Sequence, residues 1–260
     1  MPYRVRMFAL HLLSSIVLLT LILAIFYFGW YSWPGWHLAG AEFIVGLMLL
    51  VDIGVGPLAT LVVASPTKSR RKLQADIGLI VLVQLVALGY GANTLWDGRP
   101  LYYVFSGAQV DLVPATAIER EDIRVAQERG VALVPEWYSL PRWVWARVPE
   151  DPTEFKQLLM ERLLVGGDVI TMPQYFHPLA EATAAMREAY RPPEVLSGAG
   201  GMDQAEYWRR FALLGKAAGE VGVLPVAGRL REGAMVFDRS TGEFLAYWPI
   251  KVPKLQAKAE

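Results

Sequence analysis

The sequence predicts a membrane protein with a three-helix N-terminal transmembrane bundle followed by a water-soluble α+β domain. Two observations carry this prediction. Residues 1–96 hold three long apolar segments, and only six of the chain's 25 lysines and arginines and three of its 25 acids lie there. The remaining 164 residues hold most of the charge and are long enough to bury a core of their own.

Each apolar segment is long enough to cross a bilayer. The segments cover about residues 8–30, 41–64 and 77–96, and a helix needs roughly 20 residues to span a hydrocarbon core. The first segment follows Arg4 and Arg6, as a signal peptide would, but it exceeds the roughly 7–15 apolar residues of such peptides. We therefore expect it to be a retained membrane helix.

The distribution of positive charge predicts the orientation. The loop at 65–72 carries four lysines and arginines, whereas the link at 31–40 carries none. Short loops rich in these residues stay in the cytoplasm. We therefore expect the N-terminus and the 65–72 loop inside, and everything after Trp96 outside.

Polar and small residues are expected near the middle of the membrane. Asp52 and Gln84 lie at similar depth in spans two and three, where an ionised carboxylate costs at least about 2.5–3.5 kcal/mol. Two interpretations stay open: a hydrogen bond between them that holds the bundle together, which is favoured because such bonds are common there, and a contact with a partner helix. The residues expected at a partner-helix contact are Gly46, Asp52, Gly54, Gly56 and Gln84.

Span two also contains Pro57. Because proline has no amide hydrogen, the Ile53 carbonyl is expected to lose its helical partner and the helix to kink. Residues 54–59 formally match a dinucleotide-binding fingerprint. They lack the strand–turn–helix context and lie in lipid, so we reject that interpretation.

The outer domain, residues 97–260, shows both helix and strand signals. A hairpin is expected from strands at 101–105 and 109–113, a strand at 142–148, and a second hairpin at 234–248 with a turn containing Gly242. Helices are expected to start near Thr116, Asp151, Pro178 and Asp203. This mixture predicts an α+β domain.

Four aromatic residues of the outer domain, Trp137, Tyr138, Trp143 and Trp145, have two interpretations. Aromatic residues in strands commonly fill a core, and this is favoured. They can also form a binding surface, in which case Trp143 and Trp145 are the candidate contacts.

Composition argues against several classes of function. The chain has no cysteine, which excludes thiolate chemistry and cysteine-ligated zinc, and its three histidines are scattered. The acids Glu119, Glu121 and Asp122 fit the first turn of a helix rather than a catalytic group. We therefore expect no cofactor, no metal and no enzymatic activity. The outer domain's net charge of −3 argues against a nucleic-acid partner.

A series of motifs in residues 5–115 resembles the type IV pilin accessory protein family of the TfpX/TfpZ type. The series consists of residues 51–61 (VDIGVGPLATL), the basic loop, Asp76, Gln84, residues 87–91 (ALGYG), Arg99-Pro100 and Val104-Phe105. The resemblance implies a non-enzymatic role in type IV pilus assembly in a Gram-negative bacterium, with a type IV pilin as partner. It also implies that the membrane is the bacterial inner membrane and that the outer domain is periplasmic.

Two other functions remain open from the residues alone. One is a membrane-anchored periplasmic enzyme, which would need a clustered acid/base or nucleophile site. The other is a sensor or transport subunit with Asp52 on an ion path, for which a lone intramembrane carboxylate is weak support.

Overall fold

A computed structural model describes residues 2–164, 168–197 and 202–252. The chain divides into two units, Met1–Arg99 and Pro100–Glu260. The first is helical, and the second combines helices with a seven-stranded sheet. The predicted fold class, a membrane helical bundle followed by an α+β domain, is confirmed.

Within the described residues, three helices are long and apolar enough to cross a membrane. Their bounds are Tyr3–Gly29 (α1), Ala41–Val63 and Arg70–Asp97 (α5), with a short helix Gly35–Ala39 (α2) before the second. The third starts earlier than predicted, because Ser69 caps it by accepting a hydrogen bond from the Lys72 amide. Three of the four bases of the predicted loop therefore lie in the first turn of α5.

The second span is not a continuous α-helix. It consists of α3 (Ala41–Leu49), a π-helical segment (Leu50–Val55) and α4 (Gly56–Val63). The Gly56 amide donates to the Val51 carbonyl, five residues back, which is the π-helical pattern. The α-helical pattern is thus interrupted by a π-helical segment that ends two residues before Pro57, and the predicted kink stays a prediction.

The bundle has a buried apolar core and close helix contacts. Its core contains Leu19, Phe26, Tyr31, Ala41, Val45, Met48, Leu88 and Leu95. Gly91 allows close approach, because a Cβ there would lie 2.6 Å from Met48 Cγ. The Tyr31 hydroxyl donates to the Leu95 carbonyl at 2.8 Å, which fixes one end of the bundle.

The C-terminal unit is built on a mixed sheet in the order β4-β3-β1-β2-β5-β6-β7. Its strands are β1 (Pro100–Phe105), β2 (Val110–Pro114), β3 (Arg142–Ala146), β4 (Phe176–Pro178), β5 (Val221–Ala227), β6 (Glu232–Asp238) and β7 (Phe244–Trp248). The pairs β1/β3 and β2/β5 are parallel, and the other neighbours are antiparallel. The two predicted hairpins are β1–β2 and β6–β7, and Gly242 at φ +76° lies in the second turn as expected.

Four α-helices of this unit are α6 (Arg120–Glu128), α7 (Pro152–Leu164), α8 (Thr183–Ala189) and α9 (Gln204–Leu214). The predicted starts of α7 and α9 are confirmed, and the Asp203 carboxylate caps α9 by accepting from the Glu206 amide at 2.8 Å. The start predicted at Thr116 is wrong, since a 3₁₀ turn fills 115–117 and Glu119 is the N-cap. At the start predicted at Pro178, that proline ends β4 and is the N-cap of a 3₁₀ helix, Leu179–Ala182, which runs directly into α8.

The sheet buries apolar side chains on both faces. One face holds two clusters, the first around Tyr102, Val104 and Val144 and the second around Val221, Val236 and Trp248. On the opposite face Tyr190 covers Gly222, where any Cβ would overlap the tyrosine ring. Both β4 and β5 were absent from the expected elements, and β5 is central to this core.

Candidate functional site

Asp52 and Gln84 meet inside the bundle, where they are only 4% and 6% exposed. The Gln84 side-chain amide donates from Nε2 to the main-chain carbonyl of Asp52 at 3.1 Å. The predicted contact between spans two and three is therefore confirmed. The acceptor of this bond is the main-chain oxygen of Asp52.

The π-helical segment explains why this carbonyl needs a side-chain donor. In the pattern of bonds five residues apart, the Asp52 carbonyl would accept from residue 57, which is proline and has no amide hydrogen. The Gln84 amide supplies the missing donor. Sequence reasoning assigned the lost bond to Ile53, one residue later, because it assumed α-helical spacing.

Gly56 provides the space that Gln84 occupies. A Cβ at this position would overlap the Gln84 amide group. The glycine therefore allows the side chain to lie directly against the backbone of span two. The contact between Gly56 and Gln84 therefore lies within the bundle, and it requires both residues.

A cavity lies beside this contact. It has a volume of about 110 Å³ and is lined by His11, Ser14, Ser15, Leu18 and Leu19 of α1, by Asp52, and by Val81, Gln84, Leu85 and Leu88 of α5. Asp52 Oδ2 and Gln84 Oε1 are buried and accept no hydrogen bond that meets standard distance and angle limits from the residues that the structure describes. We refer to this cavity as the bundle cavity.

His11 forms one end of the bundle cavity and links α1 to α4. Its Nδ1 lies 2.5 Å from Thr60 Oγ1, and Thr60 is fully buried. The Ser14 hydroxyl donates to the His11 carbonyl at 2.8 Å. His11 is thus a hydrogen-bonded residue of the bundle.

The five predicted partner-helix residues divide into two groups. Asp52, Gly56 and Gln84 lie inside the bundle and contact one another. Gly46 is exposed, and a Cβ added to it would meet no atom within 4 Å, while one added to Gly54 would meet only Leu50 Cδ1 at 3.8 Å. Of the five, these two glycines therefore leave open space beside the second span.

The two predicted outer contacts, Trp143 and Trp145, are both half-buried on β3. Trp143 stacks on Tyr103, with ring centroids 4.4 Å apart and planes 15° apart, and also packs on Phe244. Trp145 lies beneath the Arg147 guanidinium, 5.5 Å from it. The stacking of Trp143 makes it part of the sheet packing.

Two aromatic side chains that are more exposed lie just before β3. Trp137 is 74% exposed and Tyr138 is 54% exposed, and their rings are in edge contact 5.3 Å apart. Leu140, three residues after Trp137, is 56% exposed. The signal in the sequence was their position between Pro135 and Pro141, which indicates a loop rather than a strand.

Two buried aspartates of the C-terminal unit have opposite electrostatic surroundings. Burial raises the pKa of Asp111 to about 6, although Gln109 Nε2 and Ser106 Oγ donate hydrogen bonds to its carboxyl group. The Lys216 ammonium, 2.7 Å from Asp238, and hydrogen bonds from Ser240 and Thr241 hold the pKa of Asp238 well below its usual range. The folded state therefore disfavours the ionised form of Asp111 and favours that of Asp238.

No group of three or more His, Cys, Asp and Glu side chains suited to a metal ion occurs among the described residues. A polar cavity of about 290 Å³ on the C-terminal unit is lined by charged residues that pair with one another. Arg129 lies 3.0 Å from Glu154, and Arg147 pairs with Glu150. The bundle cavity is the stronger candidate site because two of its lining residues, Asp52 and Gln84, are buried polar residues within the membrane-spanning helices.

The chain is similar to three fimbrial assembly proteins of Dichelobacter nodosus. The serogroup I protein is 23% identical over 194 residues, which are 73% of this chain and 72% of that protein. The serogroup E1 protein is 23% identical over 200 residues, with the same two shares. The protein of serogroups C1 and C2 is 28% identical over 103 residues, which are 40% of this chain and 79% of that protein.

No protein-family profile matches the chain, and no solved structure matches it significantly. The names of the three relatives agree with the pilus-related class of the resemblance described above. The finer assignment to the TfpX/TfpZ type stays a prediction.

Proposed function

We propose that this protein is an inner-membrane accessory protein that acts like a chaperone in the assembly of a type IV pilin into pili. The observation that carries the proposal is the similarity to fimbrial assembly proteins over 73% of the chain. The motif series of residues 5–115 supports the same conclusion independently. The role is proposed to be non-catalytic, based on contacts rather than on turnover.

The two-unit architecture suits a membrane-held pilin subunit. Such a subunit has one apolar helix in the membrane and a globular head outside it. In our proposal the bundle meets the helix at the open side of span two, near Gly46 and Gly54, and at the bundle cavity. Small residues favour close helix packing in membranes, which supports the first of these contacts.

The C-terminal unit is proposed to meet the pilin head in the periplasm. The orientation follows from the basic residues at 68–72 and the base-free link at 31–40. The exposed pair Trp137 and Tyr138 offers a contact surface of the kind enriched at interfaces. Binding of the pilin is expected to be weak, because a pilin subunit that is transferred to the growing pilus must also be released.

A deletion strain tests the proposal. We expect normal pilin levels by immunoblot but fewer or altered surface pili by electron microscopy, with wild-type pili restored by the plasmid-borne gene. A photo-crosslinking amino acid at Gly46 or Trp137 should recover the pilin, and omission of ultraviolet light is the control. Unchanged pili and motility, together with no pilin crosslinked, would contradict the proposal and favour the envelope-enzyme alternative.

A further inference from the structure

We propose that one end of the sheet in the C-terminal unit docks onto the surface of the lipid bilayer that α5 crosses. The contact is made by the loop at residues 136–142 and the β5–β6 turn at residues 228–231, which we call the docking end. The occupant of this surface is the interfacial layer of the bilayer, with its phosphates and the outer part of its acyl chains. Neither the contact nor its test involves a pilin.

The chain enters the C-terminal unit at the start of β1. Pro100, the first residue of β1, is three residues after Asp97, the last residue of α5. Three residues span at most about 11 Å. The last residues of α5, Trp96 and Asp97, are an aromatic and a charged residue, of the kind found where a helix leaves the bilayer. Chain connectivity alone therefore keeps the start of β1 near the bilayer surface.

The loop before β3 lies at this same end of the sheet. β3 is parallel to β1, with Arg142 opposite Tyr102, so the residues that precede β3 lie beside the start of β1. The Tyr102 hydroxyl also donates to the Leu133 carbonyl at 2.5 Å, which fixes the segment before the loop to the first residues of β1. The position of the loop is thus determined by the sheet register within this unit.

Three large side chains of this loop are exposed. Trp137, Tyr138 and Leu140 are 74%, 54% and 56% exposed. Tryptophan and tyrosine concentrate at bilayer interfaces, because their rings reach the acyl chains while their polar groups stay among the headgroups. Contact with the bilayer removes this apolar surface from water, which is favourable.

The β5–β6 turn is directed toward the same end. β2 is antiparallel to β1 and β5 is parallel to β2, so β5 runs toward the end at which β1 starts. Leu230, in the turn that follows β5, is 67% exposed and lies between the exposed residues Arg229 and Arg231. Two segments that are about 90 residues apart in the chain therefore present apolar side chains at one end of the sheet.

The charge of the docking end suits lipid phosphates. Its three bases are Arg142, Arg229 and Arg231, and its one acid is Glu136, so its net charge is +2. All three arginines are exposed, and a guanidinium binds two phosphate oxygens through parallel hydrogen bonds. Exposed apolar side chains flanked by arginines match the two layers of the interface, acyl chains and phosphates.

The hairpin loops at the opposite end of the sheet lack these features. The β1–β2 loop at residues 106–109 reads SGAQ, and the β6–β7 loop at residues 239–243 reads RSTGE. Neither loop contains a large apolar residue. This difference between the two ends is expected if one end contacts lipid and the other faces water.

The chain contains no cysteine, so a single fluorophore can be placed at a chosen position. The full-length protein is reconstituted without a pilin in liposomes of phosphatidylcholine and phosphatidylglycerol. An NBD label is attached after Trp137→Cys, after Leu140→Cys or, as the control, after Ala108→Cys, since Ala108 is exposed in the β1–β2 loop at the opposite end. Doxyl-labelled lipid quenches a label in the bilayer, and iodide quenches a label in water.

We expect doxyl lipid to lower the fluorescence at positions 137 and 140 at least about two-fold, because both labels would lie at the depth where tryptophan rings sit. Iodide should have little effect there. The label at position 108 should show the reverse pattern, with strong quenching by iodide and little by doxyl lipid.

One further variant tests the contact itself. Trp137→Glu replaces an exposed ring with a charge that disfavours lipid contact, and it should cost the fold little because the side chain is 74% exposed. In the protein labelled at position 140, it should remove the quenching by doxyl lipid. Val148→Glu is the matched control, because Val148 is 44% exposed and follows the other end of β3, and it should keep that quenching.

Labels at positions 137 and 140 that iodide quenches and doxyl lipid does not would overturn the inference. Labels shielded from both quenchers would also overturn it, since they would be covered by protein, as would doxyl quenching that survives Trp137→Glu. Because no pilin is present, each of these failures leaves the deletion-strain test unaffected. Conversely, docking in liposomes with normal pili in the deletion strain would support the lipid contact and reject the proposed role in pilus assembly.

Discussion

Gln84 on α5 substitutes for the amide hydrogen that Pro57 lacks, by donating from its side chain to the Asp52 carbonyl at 3.1 Å. The π-helical segment before Pro57 places that carbonyl where a side chain from another helix reaches it. The proline in span two and the glutamine in span three are therefore parts of one arrangement. Several measurable consequences follow from this relationship and from the buried groups of the C-terminal unit.

Replacing Gly56 should destabilise the bundle. In Gly56→Ala the added Cβ overlaps the Gln84 amide, and overpacking of this kind typically costs about 1–3 kcal/mol. Gly46→Ala is the matched control, since its Cβ meets no atom within 4 Å, and it should be neutral or slightly stabilising. Unfolding in mixed detergent micelles, followed by circular dichroism, compares the two. Equal stabilities would show that Gln84 moves aside without cost.

A double-mutant cycle can measure how much stability the Gln84 side chain contributes by replacing the amide donor that Pro57 lacks. Gln84→Leu should destabilise the bundle by about 0.6–2 kcal/mol, the range for hydrogen bonds between membrane helices. Pro57→Ala restores a main-chain donor, so Gln84→Leu should cost less in that background. A coupling energy above about 0.5 kcal/mol is expected. Additive effects would mean that the Asp52 carbonyl gains nothing from Gln84.

Asp111 should make the stability of the C-terminal unit depend on pH. Its folded pKa of about 6 lies above the ordinary value of 3.8, so the folded state binds more protons between these values. Stability is then highest below about pH 4 and falls as the pH rises through 6, by about 3 kcal/mol at most. Denaturant melts of the full-length protein, followed by tryptophan fluorescence, measure this contribution.

The control for this pH dependence is Asp111→Asn. Its side-chain oxygen still accepts from Gln109, but the group does not ionise, so the fall in stability between pH 4 and 6 should disappear. Asp238, whose pKa is lowered, acts in the opposite sense, because its contribution is present above pH 4 and is lost as the pH falls further. A slope unchanged by Asp111→Asn would assign the pH dependence to other groups.

Variants of Trp143 and Trp137 should distinguish an effect on protein stability from an effect on pilus assembly. Trp143→Ala removes stacking on Tyr103 and packing on Phe244, and about 3 kcal/mol of destabilisation is expected. Trp137→Ala should change stability by less than about 0.5 kcal/mol, because the side chain is 74% exposed. If Trp137 contacts the pilin head, this variant should nevertheless lower the number of surface pili. Normal pili would remove Trp137 from the proposed contact.

Reporter fusions test the membrane orientation. Alkaline phosphatase is active only outside the cytoplasm. A fusion after Lys72 should therefore be inactive, and one after Glu260 should be active, as the positive charges at 68–72 predict. The opposite pattern would place the C-terminal unit in the cytoplasm and remove its proposed contact with a pilin head.

Local sequence signals predicted the spans and the hairpins β1–β2 and β6–β7, whereas β5 and its hairpin with β6 were missed. Val221–Ala227 is apolar throughout and contains Pro225, which argues against a central strand. Yet β2 pairs only with Val226 and Ala227, so Pro225 lies outside that short ladder. One partner of β5 is β6, which follows it after residues 228–231; the other, β2, is remote in sequence, and no local pattern specifies that pairing. The same limitation applies to Gln84, whose acceptor depends on a π-helical segment that hydropathy does not reveal.

The π-helical segment also changes the rotational phase of the second span. One more residue fits between its bonded groups than in an α-helix, so the residues after it are turned relative to those before it. The two segments differ in their neighbours, since α3 packs on α5, whereas α4 packs on α1 and also on α5. A single helix thereby joins two neighbours that contact each other little, and the gap between those neighbours is the entrance to the bundle cavity. Removing one residue from Leu50–Val55 would restore a uniform helix and turn α4 away from α1.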